Sequence, residues 1–94
     1  MKTPLLSILI PAIPSRLGKA SVLFGVLTAQ ANLYPSMGVE VLTLLDNKKR
    51  SVGLKRQALL DISRGEYIAF VDDDDDVSCD YVDSILQVIG STDA

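Results

Sequence analysis

The chain predicts an α/β fold: a short parallel sheet of order 2-1-3, with the first strand central, and helices on both faces. Three observations carry this. Three short apolar runs, Leu5 to Ile10, Val39 to Leu45 and Tyr67 to Val71, read as buried strands. A segment of helical periodicity follows each run. The resulting strand–helix alternation requires crossover connections, which make neighbouring strands parallel.

The elements follow in order. Leu5-Leu6-Ser7-Ile8-Leu9-Ile10 is nearly continuous in apolar residues and is expected to stop at Pro11. Ser15 is placed to cap a helix running to about Gln30, with Leu17, Ala20, Phe24, Leu27 and Ala31 on its inner face. Pro35 and Gly38 mark the loop before the second strand, which ends in Asp46-Asn47. After a basic turn, Lys48 to Arg50, Ser51 is placed to cap a helix to about Ser63, with Val52, Leu59 and Ile62 facing inward and Gly65 as its stop. The third strand, Tyr67 to Val71, runs into five carboxylates, Asp72 to Asp76. Ser78 then caps a last helix, with Tyr81, Val82, Ile85, Leu86 and Ile89 on one stripe and Gly90 at its end.

Bulk properties narrow the function classes. At 94 residues the chain is a single domain, residues 1–94. A net charge of −3 argues against nucleic acid as a partner, because phosphate backbones need a basic footprint. With no histidine, the chain has no imidazole for acid–base work and none to ligate zinc. Cys79 is the lone cysteine, which fits a reducing, cytoplasmic setting. Lys2 followed by Leu5 to Ile13 faintly resembles a signal peptide, but Pro11 and Pro14 break the apolar run and no small-x-small site follows. No stretch reaches the roughly 20 apolar residues of a membrane span. A three-stranded sheet leaves two edges open, which makes a homodimer an expectation.

The polar groups converge at one rim. Ligands of parallel α/β sheets bind outside the carboxyl ends of the strands. Those ends carry Pro11-Ala12-Ile13-Pro14, Asp46-Asn47 and Asp72 to Asp76. If the backbone stays extended past Val71, Asp72 and Asp74 point one way and Asp73 and Asp75 the other. Like charges crowded at the end of a rigid strand are costly unless a cation neutralises them, and Mg²⁺ or Mn²⁺ suits oxygen ligands. The blander alternatives are a solvated turn for the run, with Asp76 and Asp80 favoured by a helix dipole, and a strand-ending turn for Asp46. Lys55 and Arg56 sit early in the second helix and either line a solvated face, or Arg56 reaches the crevice and pairs there with a carboxylate or phosphate.

Gly53-Leu54-Lys55-Arg56-Gln57, followed by Arg64-Gly65-Glu66-Tyr67-Ile68-Ala69-Phe70-Val71-Asp72-Asp73-Asp74-Asp75, resembles the family 2 glycosyltransferases of the GT-A fold, a Rossmann-like architecture. That family has an Arg-bearing helix, then a Gly-Glu-Tyr-Ile stretch and a strand ending in Asp-x-Asp-Asp. Ser7-Ile8-Leu9-Ile10-Pro11 and Val41 to Asp46 are similar to its first two strands. Ile13-Pro14 stand where the family has Tyr-Asn, and only Asn47 to Arg50 fill the place of its extra edge strand. The resemblance implies a nucleotide-sugar site formed by Pro11, Asp46, Arg56, Asp72 and Asp73, with Asp46 on the base and Arg56 on the base or diphosphate. It implies a Mg²⁺ or Mn²⁺ ion on Asp74 and Asp72, a nucleotide-sugar donor (UDP-sugar first among them) and inverting transfer to an acceptor the sequence does not identify. The family's acceptor region and catalytic base lie downstream of the Asp motif, so the chain is expected to be the donor-binding part, cut short at Ala94. No residue is assigned as the base. The competing expectation is a non-catalytic metal- or nucleotide-binding unit, or a structural α/β module.

Overall fold

The computed structural model describes residues 3–45, 52–73 and 75–92. Strand β1 (Leu6–Ala12) leads through a 3-10 turn (Pro14–Arg16) into helix α1 (Leu17–Ala31). Strand β2 (Val39–Leu45), helix α2 (Val52–Ile62), strand β3 (Tyr67–Phe70) and helix α3 (Tyr81–Thr92) follow. The sheet is all-parallel in the order β2-β1-β3, as expected. Leu6 pairs with Val39 on one side and Tyr67 on the other.

Burial explains the two kinds of strand sequence. Leu6 to Ile10 of β1 are buried on both faces, so the run is continuously apolar except for Ser7. Leu6, Ile8 and Ile10 join Leu23 and Leu27 of α1 and Val82, Leu86 and Ile89 of α3 in one core. Helix α2 packs on β1 and β2, with Leu59 fully buried. The two crossovers run in opposite directions across the sheet, and right-handed connections then place α1 and α2 on opposite faces. The alternate β3 residues Ile68 and Phe70 remain 37% exposed at an edge of the sheet.

Several boundaries differ from those expected. β1 continues through Pro11 to Ala12. The carbonyls of Leu5 and Leu9 accept from Tyr67 and Val71, so by two-residue periodicity the Pro11 nitrogen faces the β3 side, beyond the last paired residue. No ladder donor is lost there. Ser15 does not cap α1, because Pro14 opens a 3-10 turn and Arg16 occupies the cap position without a side-chain bond. Leu17 is half exposed, and Leu23 takes an inner position instead. Helix α3 receives its cap from α1: buried Gln30 accepts from the Val82 amide at 2.9 Å and donates to the Ser78 carbonyl at 2.9 Å. Its apolar stripe is as expected, but the helix runs through Gly90 to Thr92. Nothing lies within 4 Å of a Cβ placed at Gly90, so the backbone there meets no obstacle to remaining helical. Ile62, the last residue of α2, is 60% exposed, beyond the part of the helix that covers the sheet. Ser51 and the basic turn Lys48 to Arg50 lie outside the described residues, as does the side chain of Val52.

Gly65 has a different role from the helix stop expected of it. Its backbone passes so close to β1 that an added Cβ would lie 2.5 Å from both the nitrogen and the hydroxyl of Ser7. That approach lets the Gly65 amide donate to Ser7 Oγ at 2.8 Å, while Ser7 donates to the carboxylate of its β2 partner, Glu40. Glu40 also accepts from the Arg64 amide at 2.6 Å and from the Arg64 guanidinium at 3.4 Å. A buried hydroxyl in an apolar strand is thereby satisfied as both donor and acceptor. Burial opposes charge on Glu40, but the Ser7 hydroxyl, the Arg64 amide and the Arg64 guanidinium outweigh it and hold the carboxyl below its ordinary value of 4.5.

Gly65→Ala is expected to cost at least the ~1–3 kcal/mol typical of overpacking, because the obstruction is backbone. An unchanged midpoint in urea denaturation would refute the close-approach role. Because the Glu40 carboxyl is held low, its contribution to stability is present above about pH 4.5 and is lost as pH falls through the lowered value. Glu40→Gln should therefore show a smaller fall in melting temperature between pH 6 and pH 3 than the parent, and equal falls would contradict the assignment.

Candidate functional site

A cleft of about 360 Å³ opens at the carboxyl rim between the ends of β1 and β3, where the strand order reverses. Pro11 and Ile13 form the β1-exit wall, Lys55 and Arg56 come from α2, and Asp72 and Asp73 come from the β3 exit. Arg16 closes the remaining side from the 3-10 turn.

Asp72 and Asp73, the first two residues of the acidic run, diverge because side chains alternate along extended backbone. Asp72 continues the α2-side row of Ile68 and Phe70. Its Oδ1 lies 3.7 Å from Arg56 Nη2, and its side chain is 60% exposed. The Arg56 guanidinium also sits 5.3 Å above the Phe70 ring, which helps hold it at the mouth of the cleft. Asp73 continues the row of Val71 toward α1 and is only 3% exposed. Its Oδ2 accepts from the Ile13 amide at 3.1 Å, and its Oδ1 pairs with Arg16 Nη1 at 2.9 Å. The alternation then ends. The Asp75 amide donates to the Asp72 carbonyl at 3.1 Å, and Asp75 Oδ2 accepts from the Asp72 amide at 3.3 Å. This tight turn replaces the extended continuation, so Asp75 does not simply repeat the direction of Asp73.

Lys55 enters the cleft as a buried residue rather than as part of a solvated helix face. It is 4% exposed and donates from Nζ to the carbonyl of Ala12, the last residue of β1, at 3.3 Å. Its signal was present in the helix phase: Lys55 lies four residues before Leu59, so the two share the inward face. Arg16 lies four residues beyond β1, within the turn rather than at the strand end itself, and so carries no strand-end signal in the sequence. Of the candidate contacts, Pro11, Arg56, Asp72 and Asp73 meet in this cleft, while Asp46 and Asp74 lie outside the described residues. Among the described residues no three Asp, Glu or Cys side chains gather to hold a metal ion. Cys79 is exposed and precedes α3.

A separate hollow of about 400 Å³ lies between Asp75 and Asp76 and the Lys19–Val22–Val26 side of α1. It does not touch the ends of β1 and β2, and so it lacks the convergence that marks the cleft. Among the described residues, no helix is long and apolar enough to cross a membrane.

Comparisons with protein-family models, with curated proteins and with solved structures return no match.

Replacing Lys55 by Met keeps an apolar stem in place but removes the ammonium donor to the Ala12 carbonyl. It is expected to lower stability by about 1–3 kcal/mol. An equilibrium unfolding curve superimposable on that of the parent would show that this bond contributes nothing.

Proposed function

We propose that the rim cleft binds a nucleoside-diphosphate sugar with a divalent cation, as the donor-binding part of a family 2-like inverting glycosyltransferase in a reducing, cytoplasmic setting. One observation carries the reading: Arg16, Lys55, Arg56, Asp72 and Asp73 converge on one cleft between the first and third strand ends. A site of mixed charge suits a ligand that brings both phosphate and a metal. The motif resemblance of Gly65 to Asp75 supplies the family.

The roles follow from the chemistry of each side chain. Arg56, at the mouth, is suited to the diphosphate or base through its planar fork of donors. Asp72, exposed beside it, offers carboxylate oxygens to ribose hydroxyls or to a hard cation. Asp46 reads the base and Asp74 completes the metal ligands. The oxygen-only donor set fits Mg²⁺ or Mn²⁺, and the described carboxylate that faces the cleft mouth, Asp72, is exposed enough to reach one. When bound, the cation neutralises charge on the departing nucleoside diphosphate. The chain's own groups orient the donor, and a general base deprotonates the acceptor hydroxyl.

Calorimetric titration of the purified chain with UDP, with and without Mn²⁺, tests the reading. Binding should be weak, on the order of 0.1–1 mM, corresponding to roughly 4–5.5 kcal/mol. It should tighten with Mn²⁺ and lose that metal dependence in Asp74→Asn. Metal binding that is indifferent to nucleotide would instead favour a non-catalytic metal site, and binding of neither ligand would favour a structural module.

A further inference from the structure

We propose that Arg16, seated by the buried carboxylate of Asp73, contacts the diphosphate of the ligand from the β1-exit wall, and that Asp73 is a positioning residue rather than a ligand contact. This rests on the nucleotide-diphosphate reading of the cleft and adds a residue and a division of labour to it.

Asp73 is turned into the protein. Both of its oxygens serve the β1-exit loop, one on the Ile13 amide at 3.1 Å and one on Arg16 Nη1 at 2.9 Å. At 3% exposure it offers little surface to a ligand. Arg16 has the opposite character. Its side chain is 47% exposed and lines the cleft, and its guanidinium carries five N–H donors in one plane. A bond from Nη1 to a fixed carboxylate sets the orientation of that plane. Bidentate recognition of phosphate depends on such orientation.

The wall that carries Arg16 is restrained at successive points. Lys55 holds the Ala12 carbonyl, Asp73 holds the Ile13 amide, and the Arg16 amide donates back to the Ile13 carbonyl at 3.0 Å. Pro14 has a ring-locked φ. Little ordering entropy therefore remains to be lost when an anion docks against this wall. Arg56 enters the cleft from α2, so a diphosphate between the two arginines would meet donors from two separate elements.

The test uses the full chain and two probes, inorganic pyrophosphate without metal and UDP with Mn²⁺, each by calorimetry. Arg16→Ala should weaken pyrophosphate binding about 10- to 100-fold, the range of a lost charge-assisted hydrogen bond. Arg16→Lys should restore only part of it. Asp73→Asn should weaken pyrophosphate binding comparably, and Arg16→Ala combined with Asp73→Asn should be no weaker than Arg16→Ala alone, because the two act as one unit. The Ile13 amide resonance should shift in Asp73→Asn without ligand. Arg16 is half exposed, so Arg16→Ala keeps the test interpretable if Asp73→Asn fails to fold. UDP binding that persists undiminished in Arg16→Ala would overturn this inference and leave the proposed function standing. A parent chain that binds pyrophosphate in an Arg16-dependent way but gains nothing from UDP with Mn²⁺ would overturn the nucleotide reading and leave the arginine contact. Binding of neither probe would overturn both.

Discussion

Strand β1 is hydrogen-bonded on both sides, and the other elements take their places from it. A central parallel strand must be apolar on both faces, because helices cover each. It also sets the register of its neighbours, so Val39 and Tyr67 are level with Leu6 and the carboxyl ends of all three strands open on one rim. The pairing on the β3 side ends sooner than that on the β2 side. Beyond Leu9, β1 is therefore flanked by the outgoing β3 chain rather than by a strand. That gap is where Pro11 is tolerated and where the cleft forms.

Buried polar groups hold both ends of the β1–β3 seam. At the amino end Ser7 joins Gly65 and Glu40, and at the carboxyl end Asp73 joins Ile13 and Arg16. Such groups are destabilising unless every partner is in place, so each works against a slip in register. The two ends differ in consequence. The Ser7 cluster lies against the close approach of Gly65 to β1, whereas the Asp73 cluster presents an arginine to a cleft. A related device links the helices, since Gln30 of α1 satisfies an amide in the first turn of α3. That bond also ties α3 to the helix beside it on the same face of the sheet.

The cleft gains its character from charges of opposite sign that are paired but not hidden. Asp72 and Arg56 are both substantially exposed, so their pairing at 3.7 Å is weak in water and a ligand can replace it at small cost. Asp73 and Lys55 are buried, and both are bonded to the β1-exit backbone. The charged residues thus divide into those that shape the wall and those that face outward from it, and the proposed donor site relies on both groups.

Much of the fold was legible in the sequence because it follows from periodicity. The Val39–Leu45 strand, the α3 stripe and the 2-1-3 order each rest on apolar spacing or on chain connectivity, which are local or topological properties. Helix caps and ends were less legible. Ser15 and Ser78 are good caps by residue type, yet Arg16 stands at the α1 cap position after the Pro14 turn, and α3 is capped by Gln30 from a different helix. In the cleft, the meeting of Pro11 and the Asp72–Asp73 pair at the carboxyl rim was legible from the chain, since strand ends of a parallel sheet share an edge, whereas Arg56 on α2 was open between a solvated face and the crevice. That Asp73 turns inward while Asp72 turns outward, that Lys55 is buried against Ala12, and that Gly65 passes close to Ser7 emerge from the packed chain alone. The physical reason is the same in each case: which partner satisfies a polar group, and how near two backbones pass, depends on residues brought together from distant parts of the chain.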